Sequence, residues 1–329
     1  MKRLLLAVIL LLCGGITAFA FDYPDWAYGI RPAEPAVPDD GTVFTLPGSD
    51  GRFTRSQVFG RAPDGTRIAP ADWYPQDHAA MPKLVAEGDN ARGIAACAVC
   101  HYPNGKGRPQ NAALAGLPAA YMLRQLQEMK AGLRHSAEPR KKNVGQMLDY
   151  AKAMTEAEMA EIAAYYAALP VVPRFRVVET ATVPKMKSAE GLWLPLEAGG
   201  EEPIGTRIIE TPEDVSRELI RDPRAGFIVH APPGSVEKGK ALVTTGKAAN
   251  GTNRTMACAT CHGRDLAGTK TVPGIAARSP SHMARQLYDF HQGARRGALA
   301  FQMTPVVEKL AAEDVVAITA YLASLPPPR

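Results

Sequence analysis

Cysteine is scarce in this chain of 329 residues: there are five, and Cys13 lies in the apolar N-terminal stretch. The other four form two close pairs, Cys97 with Cys100 and Cys258 with Cys261. No thiol is left over for a structural disulfide, even in a compartment that would permit one. Long apolar runs are absent after Leu12, so no second membrane span is expected. Charge of one sign is lacking as well. The formal net charge is +5, part of it from Lys2 and Arg3, and nucleic-acid binding would demand a concentrated basic face.

Residues 1–20 read as a secretory signal. Lys2 and Arg3 form the charged start, Leu4 to Leu12 the apolar stretch, and Ala18-Phe19-Ala20 a small-x-small cleavage site. The apolar run is short for a membrane span, and Leu12 is bulkier than a lipidation site at Cys13 would tolerate. Cleavage after Ala20 and a periplasmic product are expected, with an uncleaved anchor as the alternative. The remainder suits two domains with additions.

What the chain does have is one five-residue pattern written twice: Cys97-Ala98-Val99-Cys100-His101 and Cys258-Ala259-Thr260-Cys261-His262. Two cysteines separated by two residues and followed at once by histidine form the attachment signature of c-type haem. Each thiol adds to a haem vinyl group, and the adjacent histidine, His101 or His262, is held beneath the iron as proximal ligand. A lone Cys-x-x-Cys could be a redox disulfide or half a zinc site. Two copies, each with its histidine, point to two covalently attached haem c groups.

The similarity continues past the motifs. Met122-Leu123-Arg124-Gln125-Leu126 lines up with Met283-Ala284-Arg285-Gln286-Leu287, and Gly132 and Arg134 with Gly293 and Arg295, all at the motif offset of 161. Five extra residues in the first copy, around Ser136 to Asn143, change the register to 156. That register pairs Met147 with Met303, Tyr165 with Tyr321, and Leu169-Pro170 with Leu325-Pro326. A repeat of this length is a duplicated domain. The copies are assigned to residues 82–172 and 234–329, with an N-terminal extension over 21–81 and an interdomain segment over 173–233.

Apolar spacing predicts helices over Ala119–Leu133 and Thr155–Leu169 in the first copy, and over Ser281–Gly293 and Ala311–Leu325 in the second. Shorter helices are expected before each motif, near Pro82–Gly88 and Val236–Thr244. Thr155 with Glu158 three residues on is an N-cap signal, and Pro170 is a stop. The extension, which contains Trp26 and Trp73, reads as coil and short strands packed on a domain. The interdomain segment reads as Pro-rich coil with strands near Arg174–Thr180 and Gly205–Glu210 and a short helix after Thr211. So long a connection is uncommon unless structured or functional.

An iron held by one histidine either gains or lacks a second axial ligand. Met147 and Met303 stand at equivalent positions, each expected in a loop ahead of the last helix of its copy. A thioether there would complete His/Met coordination, which raises the reduction potential and closes the iron. The competing reading is that both fill core. Met154 and Met159 align with Leu310 and Val315 and read as core. His135, His282 and His291 could give bis-His iron, but they do not align with one another and read as surface or helix-face residues. His78 and His230 lie outside both copies and read as ordinary polar residues. Pro273 is placed to offer its carbonyl to His262. The first copy has Ala112 at that offset, so a different backbone acceptor is expected for His101. Tyr165 and Tyr321 are expected to pack the last helix against the first, near Gly88 and Gly239.

At Cys97 to His101, Met147, Cys258 to His262 and Met303 the chain resembles the class I c-type cytochromes. The tandem arrangement is similar to their dihaem, c4-like members over roughly residues 84–170 and 234–326. The resemblance implies an all-α fold of two tandem cytochrome c domains and His/Met irons. It also implies periplasmic transfer of single electrons between a donor and an acceptor, such as a dehydrogenase or a terminal oxidase. The irregular extension, the long interdomain segment and an insertion over Gly246–Thr255 depart from the family pattern. Three functions follow. The leading one is a free electron carrier with no catalytic residues. The others are a cytochrome subunit of a dehydrogenase or membrane-bound respiratory complex, and a peroxidase-like dihaem enzyme with one open iron. Lys106, Arg108, Lys141, Lys142, Arg264 and Lys270 are candidates for docking an acidic partner, against the plainer reading of solvated surface charge.

Overall fold

Helices build the two repeat copies, and strands are confined to the segments before and between them. The computed structural model describes residues 22–30, 38–189 and 191–328; the signal reading of residues 1–20 lies outside them. The extension carries α1 (Asp25–Tyr28), a ribbon of β1 (Val43–Phe44) and β2 (Phe53–Thr54), and α2 (Arg55–Phe59). The first copy holds α3 (Lys83–Ala86), α4 (Ala98–His101), α5 (Ala119–Lys130), α6 (Lys142–Ala153) and α7 (Glu156–Ala167). Thr155 and Glu158 form the capping box at the start of α7 that the sequence predicts.

Among its described residues the interdomain segment is built from short strands and one helix. It contains β3 (Phe175–Glu179), β4 (Thr182–Pro184), β5 (Met186–Ala189), β6 (Leu192–Pro195), β7 (Glu201–Pro203), β8 (Ile209–Pro212), α8 (Val215–Leu219) and β9 (Phe227–Ala231). Strand β9 lies between β3, which it pairs in parallel, and β8, which it pairs antiparallel. Phe227, Val229 and Ala231 alternate inward along it, and the last two join the core of the second copy. That copy is α9 (Ser235–Thr245), α10 (Ala259–His262), α11 (Pro280–His291), α12 (Thr304–Val307) and α13 (Ala312–Ser324). The all-α expectation therefore describes the copies, while the additions are mixed. Among the described residues no helix is long and apolar enough to cross a membrane.

Each copy has its own core. Leu84, Ile94, Met122, Ile162 and Tyr166 gather in the first, with Met154 and Met159 buried among them as expected. Leu242, Val243, Leu310, Val315 and Ile318 gather in the second. Helix α9 meets α13 backbone to backbone at Gly239, where a Cβ would sit 1.9 Å from the Ala317 carbonyl oxygen and 2.7 Å from Tyr321 Cβ. The first copy differs from the expectation. Gly88 turns the chain at φ +73°, and its bare side faces Ile94 to Ala96 instead of α7. Tyr165 Oη donates to the Pro103 carbonyl at 2.7 Å. The tryptophans fasten the extension to the interdomain segment. Trp73 Nε1 donates to Ile220 O at 3.1 Å, and Trp193 Nε1 to Trp26 O at 2.9 Å.

Two candidate haem sites

Each motif folds as a single helical turn because the histidine N–H closes on the first cysteine carbonyl, at 2.9 Å in both copies. The two cysteines and the histidine then share one side of the turn. His101 Nδ1 lies 2.8 Å from Ala112 O, and His262 Nδ1 lies 2.7 Å from Pro273 O. Nδ1 must be the protonated nitrogen to donate there, which leaves the Nε2 lone pair for a metal. Burial pushes both imidazoles below the ordinary histidine range and so favours the neutral form a metal requires.

The expectation of a different acceptor for His101 is corrected: the same carbonyl position serves both copies. The acceptor is backbone, so alanine supplies it as well as proline. Gly107 and Gly268, again 161 residues apart, hold this arrangement. Their N–H groups donate to the His101 and His262 carbonyls at 2.8 Å. Both have positive φ, and a Cβ would approach Ala112 O or Val272 O to 2.6 Å. Neither glycine was a predicted site residue, although their recurrence at the motif offset was a readable signal.

In the second copy the motif opens into a cavity of about 180 Å³. Cys258, Cys261 and His262 line it together with Ile275, Leu287, Leu322 and Met303. Met303 ends a 3₁₀ turn, Ala300–Met303, and Pro305 follows within α12. Met256 and Met283 also line the cavity. Packing accounts for Met283, since its equivalent Met122 is a core residue at 6 % exposure. Met147, expected in a loop, is instead half-buried within α6. No proline follows it as Pro305 follows Met303, so the helix runs through. Met147 does not belong to the apolar cluster that includes Cys97. His101 lies under Tyr166, with ring centroids 6.2 Å apart.

His282, read as a surface or helix-face residue, lines the cavity of the second copy. So does its equivalent from the first copy, Tyr121. The two copies meet at a seam that the duplication has made twofold. The chains after α5 and α11 pair antiparallel at Arg134 and Arg295. Arg134 donates to Gln125 Oε1 and Gln286 Oε1, both at 3.0 Å, and Arg295 donates to the same atoms at 2.7 and 3.1 Å. Arg124 of the first copy donates to Thr271 O at 2.8 Å, and Arg285 of the second to Pro109 O at 2.7 Å. Arg278 adds two 3.1 Å bonds to Ala115 O.

So many buried cations strain one another. Burial, then the Arg285 charge, holds His282 well below the ordinary histidine range. Burial lowers Arg278 to about 10, and burial with Arg295 lowers Arg134 to about 10. The Nε atoms of Arg278 and Arg295 are buried without a hydrogen-bond partner among the described residues, and both side chains line the cavity. A largely apolar cavity with unpaired cationic donors suits a group with an apolar body and anionic carboxylates. Haem, with its propionates, fits that description. In the sequence Arg134 and Arg295 stand out only as matched positions of the repeat.

The Cytochrome c family model matches residues 85–169 and 236–326, and the chain belongs to that family. It is similar to cytochrome c4 of Azotobacter vinelandii, at 26 % identity over 248 residues that cover 73 % of this chain and 90 % of the relative. A shorter match joins it to the thiosulfate dehydrogenase electron acceptor of Stutzerimonas stutzeri, 37 % identical over 75 residues and covering 33 % of that protein. Among solved structures, thiosulfate dehydrogenase TsdBA from Marichromatium purpuratum aligns with a TM-score of 0.49 and 27 % identity, over 74 % of this chain and 39 % of that one. The protein is thus a dihaem c-type cytochrome of electron transfer, similar to cytochrome c4. It carries two covalent haem c groups, which the pairs Cys97/Cys100 and Cys258/Cys261 fit.

Proposed function

We propose that this protein is a periplasmic electron carrier whose two irons are closed by protein ligands. His101 and Met147 serve the haem at Cys97 and Cys100; His262 and Met303 serve the haem at Cys258 and Cys261. The observation that carries the reading is the second cavity, where Met303 and His262 share one space and Nδ1 of His262 is committed to Pro273 O. Met147 enters through the duplication, as the equivalent of Met303. The haem supplies the one-electron chemistry. The chain supplies orientation through the fixed imidazoles, water exclusion through Ile275, Leu287 and Leu322, and charge balance through Arg278 and Arg295. The signal pattern in residues 1–20 supports the periplasm. The copies, residues 82–172 and 234–329, act as the two haem domains. The name of the Stutzerimonas relative supports a dehydrogenase as the electron donor.

A reductive titration tests this directly. The protein is expected to take up two electrons per chain in one-electron steps, and hydrogen peroxide should cause no sustained turnover. Catalytic consumption of peroxide would contradict the carrier reading and favour a dihaem enzyme.

A further inference from the structure

We propose that partners exchange electrons with this protein through the haem of the second copy alone, the attachment edge of the first being sealed by segments outside the repeats. The proposal rests on the carrier reading above. A cysteine sulfur becomes bonded to a vinyl carbon, so the exposure of the attachment turn reports the exposure of that haem edge. In the second copy Ala259, Thr260 and Cys261 are exposed, as are Arg264 and Asp265 beyond them. In the first copy the equivalent turn is more covered: Val99 and Cys100 are half-buried, and the residues around them are buried. Ala98 is 2 % exposed, Tyr102 3 % and Arg108 2 %.

The cover is built from both additions. Gly60, which ends α2 of the extension, lies against the attachment turn so closely that a Cβ there would meet Val99 Cγ2 at 2.6 Å. Arg221, just after α8 of the interdomain segment, donates to Val99 O at 2.6 Å and stacks its guanidinium 4.3 Å over the Phe59 ring. Arg221 adopts φ 58°, a left-handed conformation that non-glycine residues avoid unless surrounding contacts enforce it. Beneath it the fully buried Glu218 accepts from Arg108 Nε at 2.6 Å and from Tyr102 Oη at 3.3 Å. Trp73 binds the two covers together through Ile220 O. Electron transfer falls off steeply with the gap between edges, so a layer of side chains is enough to close a port.

The second edge has the character of a docking site. Met256, Leu299 and Phe301 are 43 %, 36 % and 67 % exposed, and the first two line the mouth of the cavity. Arg264 and Lys270 are exposed beside the attachment turn, against the single Asp265. An apolar centre with a basic margin fits an acidic redox protein that meets it transiently. The first haem then fills and empties through the second, across the arginine seam that joins the copies.

Stopped-flow oxidation of the fully reduced protein by ferricyanide, a small anion, at low ionic strength tests the port. In the double variant Arg264→Glu, Lys270→Glu both haems should be oxidised about tenfold more slowly, because both drain by one route. Lys152→Glu, an exposed reversal on the first copy, should change neither. Removing the clasp with Arg221→Gly, which suits the left-handed backbone, should add a phase insensitive to the double variant. Half of the amplitude keeping its original rate in the double variant would overturn the proposal, as would no slowing at all. Failure of the carrier reading is seen separately, as peroxide turnover.

Discussion

Met303→Ala leaves the second iron with one protein ligand, so the reduced variant should bind carbon monoxide on about half of its haem. The potential of that haem should also fall, on the order of a tenth of a volt or more, within the roughly 0.8 V over which axial ligands set haem potentials. Loss of the thioether removes the ligand that favours the reduced iron. Met283 and Met256 share the cavity with Met303, which makes Met283→Leu the decisive control. It should leave both the potential and the carbon monoxide response unchanged, because its equivalent Met122 fills core. Met147→Ala should open the other iron and give the same half-amplitude adduct. Titration followed by visible spectroscopy of the three variants separates these outcomes. An adduct in Met283→Leu and none in Met303→Ala would move the ligand to Met283.

Cys258→Ala combined with Cys261→Ala should unfold the second copy. The variant cannot attach haem there, and the cavity of about 180 Å³ loses its contents. At the cost measured for unfilled core space, about 24 cal/mol per Å³, this alone removes on the order of 4 kcal/mol. The guanidinium groups of Arg278 and Arg295 would also lose their anionic partners while remaining buried. Whole domains are stable by only about 5–15 kcal/mol, so the deficit is decisive. Val229 and Ala231 of β9 and Trp26 and Tyr28 of the extension share this core, and they should loosen with it. Far-ultraviolet circular dichroism should lose about half of the helical signal while one haem per chain remains at Cys97 and Cys100. Native helicity with a single haem would show that the second copy does not need its porphyrin.

What could be read from residues alone follows the range of the interactions involved. The haem motifs were legible because attachment needs only one helical turn, Cys97 to His101 or Cys258 to His262. The capping box of Thr155 and Glu158 is equally local. The contact of Gly239 with α13 was legible through glycine and Tyr321 facing each other across two helices. Strand β9 was not, since its parallel partner β3 lies far back in the chain and its face is completed by the second copy. The helical setting of Met147 escaped because the inserted residues before it obscured the register. His282 looked peripheral for want of an aligned histidine, whereas its place was set by the seam, where Tyr121 takes the same role. Cross-copy bonds such as Arg124 to Thr271 and Arg285 to Pro109 leave no local mark. Only the recurrence of the arginines at one offset betrayed them. The closure over Val99 depends on Gly60 and Arg221, residues that no pattern links.

Closed coordination at both irons is the claim on which the function turns, and the visible spectrum of the reduced wild-type protein under carbon monoxide tests it most directly. His101 with Met147 and His262 with Met303 should leave no site for the gas, so the spectrum should be the same with and without it. An adduct on half of the haem would mean one open iron, and would contradict the carrier reading.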